Sequence, residues 1–302
     1  VRRMILLPLL AAMALILPFA PALAQAAPAA APATQTVTVR YGPWTIPGGS
    51  MDRPGELSNR LSAAAKPCSS CDVVGEKPDL VYADGTSATM ETGPMLHHFV
   101  IGNLSGRDAV CPLTPLGDRL WASGDERTDK ELPSGYGVAV KNSDRWVMLT
   151  DLMNYSSEPK TVYISITYTY TGAGMTTPVR SLWLDAGGCL TSYYPVPAGP
   201  SVRSWSWRST LGGRLVFANG HQHVGGVHVQ ATDDTTGTLL CDSPATYDTM
   251  GGMRAIVAMG TCSGDPLATI RAGDRLTVTS YYDAETARDD VMGIMHAYLA
   301  EG

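Results

Sequence analysis

The chain has 302 residues, with 22 basic and 28 acidic side chains and a net charge of −6. An acidic balance of this kind argues against a nucleic-acid surface, which needs a basic stripe. The length is enough for one large hydrophobic core or two medium ones.

The first element in chain order is a targeting segment. Arg2 and Arg3 precede an apolar run from Met4 to Phe19, and Ala22-Leu23-Ala24 follows as a small-x-small cleavage pattern. This predicts a secretory signal over 1–24, cut near Ala24 and Gln25. The alternative is an uncleaved anchor, against which stand the shortness of the run and its Pro8 and Pro18. Residues 25–35 form an Ala/Pro linker that cannot build a core. Without the signal, 20 basic residues face 28 acidic ones, a net of −8. No later apolar run is long enough to span a bilayer, so no membrane association is expected after cleavage.

Beyond the linker, strand signals dominate. The run from Thr161 to Tyr170 is β-branched and aromatic with period-two alternation. Gln35 to Arg40, Gly213 to Ala218, Val224 to Ala231 and Arg275 to Tyr282 read the same way. Gly, Pro, Asn and Asp punctuate them at short spacing. Helical periodicity is weak outside the signal. The reading is all-β, built from sandwiches or barrels. A break falls between Arg180 and Pro200, giving an N-terminal unit over 36–183 and a C-terminal one over 184–302.

Six cysteines remain after the signal: Cys68, Cys71, Cys111, Cys189, Cys241 and Cys262. In an exported chain an even count predicts up to three disulfides. A redox or zinc role for Cys68-x-x-Cys71 is the alternative, although no second close pair exists for a structural zinc. Connectivity stays open, with Cys241 and Cys262 the most local pair.

The histidines carry the chemistry. Four of the six form two groups, His97-His98 and His221-Gln222-His223. Residues two apart on a strand face the same way, so His221 and His223 can meet one ion. His97 and His98 can do so only if the backbone twists between them. Downstream, Met292, Ile294 and His296 share a strand face, with Met295 on the other. Imidazole plus thioether suits copper, which alternates between a softer and a harder state. Each feature also has a plain structural reading: surface histidines, core methionine, and a loop salt-bridge cluster for Asp125-Glu126-Arg127. Trp205 and Trp207 read as strand aromatics of a core or surface before they read as a sugar platform.

Taken together, the histidine groups and Met292 resemble the copper type II, ascorbate-dependent monooxygenases, the family of the peptidylglycine α-hydroxylating enzymes. That resemblance implies two jelly-roll β-sandwich domains, one copper on an adjacent His pair and another on a His-x-His plus Met. His97 and His98 match the pair, His221 and His223 the His-x-His, and Met292 the methionine. A closer match comes from GPWTIPGGSMD, KPCSSCDV, YADGTSATMETGPMLHHFVIGN, ASGDERT, DLMNYS, SLWLDAGGC, GHQHVGGVHV, YYDAE and DDVMGIM. In combination they resemble the family named after the stress up-regulated nodulin 19 of plants, from about Tyr41 to Tyr298.

The chain also departs from the monooxygenase pattern. No histidine lies between His98 and His221, so the third ligand of the first copper falls to Met153 or Asp151, or that site is incomplete or empty and the chain holds one copper. Asn219 stands where the peptide-amidating enzymes carry a carboxylate-clamping Arg, and Ile294 and His296 stand where they carry Asn and Tyr. A peptide C-terminal glycine is therefore not the expected substrate. The expectation is an exported copper protein hydroxylating a C–H bond of a small molecule or peptide, with ascorbate or another reductant. The alternatives are a copper-handling protein without catalysis and a metal-free jelly-roll module that binds a ligand or partner.

Overall fold

The computed structural model describes residues 33–302; the expected signal over 1–24 and most of the linker lie outside them. Residues 31–302 form one compact unit. Among the described residues there is no helix. The first ten strands are β1 (Gln35–Ile46), β2 (Gly55–Ala63), β3 (Cys71–Val81), β4 (Pro94–Asn103), β5 (Asp118–Gly124), β6 (Lys130–Glu131), β7 (Tyr136–Val140), β8 (Trp146–Asn154), β9 (Lys160–Gly172) and β10 (Thr177–Pro178). They are followed by β11 (Arg180–Asp185), β12 (Tyr194–Val196), β13 (Gly199–Arg208), β14 (Gly213–Gln222), β15 (Gly226–Asp233), β16 (Thr238–Met250), β17 (Met253–Met259), β18 (Thr261–Ile270), β19 (Arg275–Ala284), β20 (Arg288–Val291) and β21 (Gly293–Glu301).

These strands make four sheets of four to six strands and one two-stranded ribbon. One sheet runs β1-β9-β3-β7-β10, with β6 also on β3; a second runs β2-β8-β4-β5. The other half has β11-β21-β14-β18, β13-β19-β15-β16-β17 and the ribbon of β12 with β20. Alternation explains β9: Val162, Ile164, Ile166 and Tyr168 are fully buried, while Thr161, Thr167 and Thr169 face outward or partly so. Each such core aliphatic contributes about 1.5–3 kcal/mol by leaving water.

The all-β expectation holds. The expected pair of jelly-roll sandwiches does not: the four larger sheets pack on one another in a propeller-like arrangement. The physical reason lies in β14 and β21. From Gly293 to Ala300 every residue of β21 is buried, so neither face of this strand meets solvent. Phe217, Tyr298 and Ala300 join the first core beside Trp121 and Phe99. Leu215, Met295 and Leu299 join the second core with Val229 and Val278. Tyr298 also donates its hydroxyl to the Leu120 carbonyl, 2.7 Å away. A third cluster, including Val100, Trp183, Met292 and Ile294, fills the junction. A strand that serves two cores cannot close a self-contained sandwich.

All six cysteines are paired, as Cys68–Cys71, Cys111–Cys189 and Cys241–Cys262. The expected disulfides form, and the local pair is among them. Trp207 is buried and Trp205 packs against the same core, so both belong to packing.

Candidate metal centre

β4 solves the problem of two adjacent histidines with a bulge. In its ladder with β8, Leu96 faces Leu152 and His98 faces Asp151, which leaves His97 as an extra residue. A bulge bends the strand and re-aims a side chain. The His97 and His98 rings thus lie 4.9 Å apart, centroid to centroid, on one side of the strand.

The second group sits where β14 ends. His221 pairs across to Ile294 of β21, and His223 follows the last strand residue. The His223 N–H donates to Tyr282 Oη at 3.0 Å, and its carbonyl accepts from Gly226 N–H at 2.9 Å to close a turn. Gly225, with φ of 100°, takes a conformation that side-chain-bearing residues rarely adopt. Gln222 points the other way, donating to Ser280 Oγ and the Tyr281 carbonyl. His221 and His223 therefore share a face, 5.4 Å apart.

The two groups meet. The His97 and His223 rings are 4.7 Å apart, and those of His98 and His221 6.5 Å. One nitrogen from each of His97, His98 and His223 lies within 4.8 Å of the others, a spacing that can hold a metal ion. His221 lies outside that group of three but borders it.

An acceptor engages one nitrogen of three of these rings. His221 Nδ1 donates to Glu126 Oε1 at 3.0 Å, and His223 Nδ1 to the Asp290 carbonyl at 2.7 Å. Both acceptors lack a proton, so the hydrogen sits on Nδ1, and in a neutral imidazole held this way Nε2 keeps the lone pair. His98 turns Nε2 to Asp151 Oδ2 at 3.0 Å. The opposite nitrogens, His98 Nδ1, His221 Nε2 and His223 Nε2, are shut from solvent with no partner. Buried polar atoms are nearly always paired. Two of these orphans, on His98 and His223, belong to the close group of three rings, and they fit a metal because liganding imidazoles have one nitrogen fixed by an acceptor and the other free.

Electrostatics agrees. Burial, followed by the neighbouring imidazoles, pushes His97 and His223 well below the ordinary imidazole range, so both stay neutral. Burial pushes the Glu126 carboxyl up, but His221 and the hydrogen bonds from His221 and Gly124 hold it below its usual value. Burial raises Asp125, next to Glu126, to about 6.

The centre stands between two cavities. A large one of about 720 Å³ is bounded by His98, His221 and Met292, with Tyr193, Trp183 and Ile294 further along its wall. A smaller one of about 130 Å³ lies on the other side against His97, His221, His223 and Met153. Met292 thus faces the larger space and is packed with Val100 and Ile294, whereas Met153 faces the smaller. Ile294 and His296 line the large cavity with Met292, and Met295 points into the second core, as strand alternation predicts. His296 is bonded to Ser181 Oγ at 2.8 Å, and His228 stacks on Tyr281 away from the centre. Asn219 lines the large cavity and offers no cationic clamp.

Glu126 is the residue that sequence reasoning missed. It reads as part of a loop salt-bridge cluster, yet only Asp125 and Arg127 pair in that way. Its partner His221 lies 95 residues on, and no local spacing signals the contact. The role of Asp151, on the strand face considered for the third ligand, is to contact His98.

Comparison with known proteins accords with this geometry. Residues 189–302 match the family described as Stress up-regulated Nod 19. The "Probable copper-dependent oxygenase M1" of Phoma sp. is 25% identical over 287 residues, covering 87% of this chain and 72% of that protein. The "Probable copper-dependent oxygenase clz3" of Cochliobolus lunatus is 25% identical over 247 residues, covering 74% and 78%. Among solved structures, the major capsid protein P2 from bacteriophage PM2 aligns with a TM-score of 0.38 and 11% identity over 89% of this chain and 98% of that one. A likeness that slight carries no argument about fold or function.

Proposed function

We propose that this chain is an exported copper protein that uses dioxygen to hydroxylate a C–H bond of a small, largely apolar molecule. His97, His98 and His223 hold the metal, and His221 stands beside them as a further ligand. The observation that carries the reading is the convergence of His97, His98 and His223, one nitrogen of each within 4.8 Å of the others, beside the partnerless buried nitrogens of His98, His221 and His223, whose far nitrogens face Asp151, Glu126 and the Asp290 carbonyl. The printed names of the two relatives support copper and oxygenase chemistry.

Bound copper supplies the one-electron chemistry that activates dioxygen. The protein's own contribution is orientation, exclusion of water and shape. Glu126 and the Asp290 carbonyl fix which imidazole nitrogen is free, and burial keeps His97 and His223 unprotonated. The large cavity falls in the size range of small-molecule sites. Val100, Leu116, Trp183, Met292 and Ile294 give it apolar walls around His98 and His221. One oxygen atom enters the C–H bond and the other leaves as water, with two electrons and two protons from ascorbate or a similar donor. The meeting of all four histidines favours one centre over two separated coppers, with 36–183 and 184–302 each supplying one histidine group. The three disulfides suit an oxidising compartment, and no described helix is long and apolar enough to cross a membrane.

The test is metal content, electron paramagnetic resonance and oxygen uptake with ascorbate on copper-loaded protein. One copper with nitrogen ligation and reductant-driven oxygen uptake, both lost in His223→Ala, is the expected result. Copper without oxygen uptake makes the chain a copper-handling protein instead. Absence of copper under replete conditions overturns the metal reading.

A further inference from the structure

Five methionines line two adjoining cavities on the side of the histidines away from the large cavity. Met51, Met90, Met95 and Met253 border a space of about 420 Å³. Met95 and Met153 border the smaller space that touches His97 and His223. The two spaces share Met95, Tyr155, Val224 and Arg288 as walls, so they adjoin. Their outer end is Met51, which is 47% exposed.

Core packing does not account for these side chains. A methionine used as filler is enclosed by other apolar groups. Of the five only Met90 is buried; Met95, Met153 and Met253 are half-buried and turn surface to the cavities. Met95 and Met153 face each other directly across the β4 and β8 ladder. Their sulfurs lie 3.7 Å from the same Tyr155 hydroxyl. Two thioethers thus converge next to the centre's edge, with three more leading outward.

A thioether is a soft, neutral ligand that selects Cu(I) over harder cations. We propose that this methionine-lined path is a Cu(I) entry route, with Met95 and Met153 as its inner site, delivering the ion to His97 and His223. The transfer is ligand exchange: thioether–Cu(I) bonds break, imidazole–Cu(I) bonds form, and the oxidation state does not change. Arg254 lies over the Tyr247 ring at 3.9 Å and pairs with Glu285. Arg288 shares the inner space with Asp125, Glu126 and Asp290.

This route rests on the copper reading above, and the experiment separates the two. Full-length protein is titrated anaerobically with Cu(I) against a chromophoric Cu(I) chelator, and X-ray absorption is recorded at low loading. Wild type, Met95→Leu/Met153→Leu and Met51→Leu/Met90→Leu/Met253→Leu are compared, the Leu swaps conserving volume so that folding is kept. Sulfur ligation should appear in wild type and vanish in the inner double variant. The outer triple variant should fill the histidine centre with Cu(I) more slowly than wild type, while taking up Cu(II) as wild type does. Wild-type Cu(I) loading rates in both variants, or no sulfur around Cu(I) in wild type, overturn the route and leave the histidine centre standing. Failure of wild type to bind Cu(II) at its histidines overturns the copper reading itself.

Discussion

The imidazoles of His97 and His223 lie 4.7 Å apart, one on a bulge in β4 and the other just past the end of β14. Neither residue can place a nitrogen beside the other without the sheet that joins both cores. Replacing either with Ala should remove stoichiometric copper and leave the fold intact, because a cavity already borders each ring. Isothermal titration with Cu(II) beside circular dichroism checks this; retained stoichiometric binding in both variants counts against the assignment.

The acceptors behind the rings should matter almost as much as the ligands. Glu126→Gln keeps the size of the group and removes the charge that holds His221. Asp151→Asn does the same behind His98. Each change should weaken copper binding about 10- to 100-fold, with altered electron paramagnetic resonance parameters at saturating copper. Unchanged affinity in both would mean that these carboxylates serve packing alone.

Gly124 tests the tightness of the same corner. A Cβ there would come within 2.5 Å of Glu126 Oε2, 2.8 Å of His221 Cε1 and 2.9 Å of the His97 carbonyl. Gly124→Ala should cost about 1–3 kcal/mol from overpacking and disturb His221. Urea unfolding and copper titration together read both effects; a variant of wild-type stability and affinity contradicts the geometry.

Acid should destabilise the metal-free protein. The folded-state pKa values of His97, His223 and His296 are depressed by burial, while the unfolded chain titrates near 6.5. Below about pH 6.5 the unfolded state binds protons that the folded state refuses, so stability falls as pH falls. Each group adds a slope of about 1.4 kcal/mol per pH unit until its own folded pKa is reached. Urea midpoints of apo protein at neutral and mildly acid pH measure this. A His296→Asn variant, altered outside the cluster, should show a shallower decline.

Much of the fold was legible in the sequence. Alternation in Thr161 to Tyr170 reports a half-buried strand because the period of the side chains is the period of the pleat. Cysteine parity pointed to the three disulfides. The His-x-His and the shared face of Met292, Ile294 and His296 followed from the same period of two. What stayed hidden depends on distant partners. The strand β21 reads like any apolar strand, and nothing local says that its two faces serve different cores. The bulge at His97 is set by the register against β8. Glu126 meets His221 only after both halves have packed. Two histidine groups expected in separate domains therefore lie against each other.

The Cys111–Cys189 disulfide gives that centre a dependence on its surroundings. It joins the stretch between β4 and β5 to the stretch between β11 and β12, and both cysteines line the large cavity. A link across 78 residues restrains the unfolded chain by about 4–5 kcal/mol in a loop-entropy account. The tie bridges the halves that bring His97-His98 and His221-x-His223 together. A chain kept reduced should lose that restraint, and with it part of the stability that holds the two histidine groups against each other.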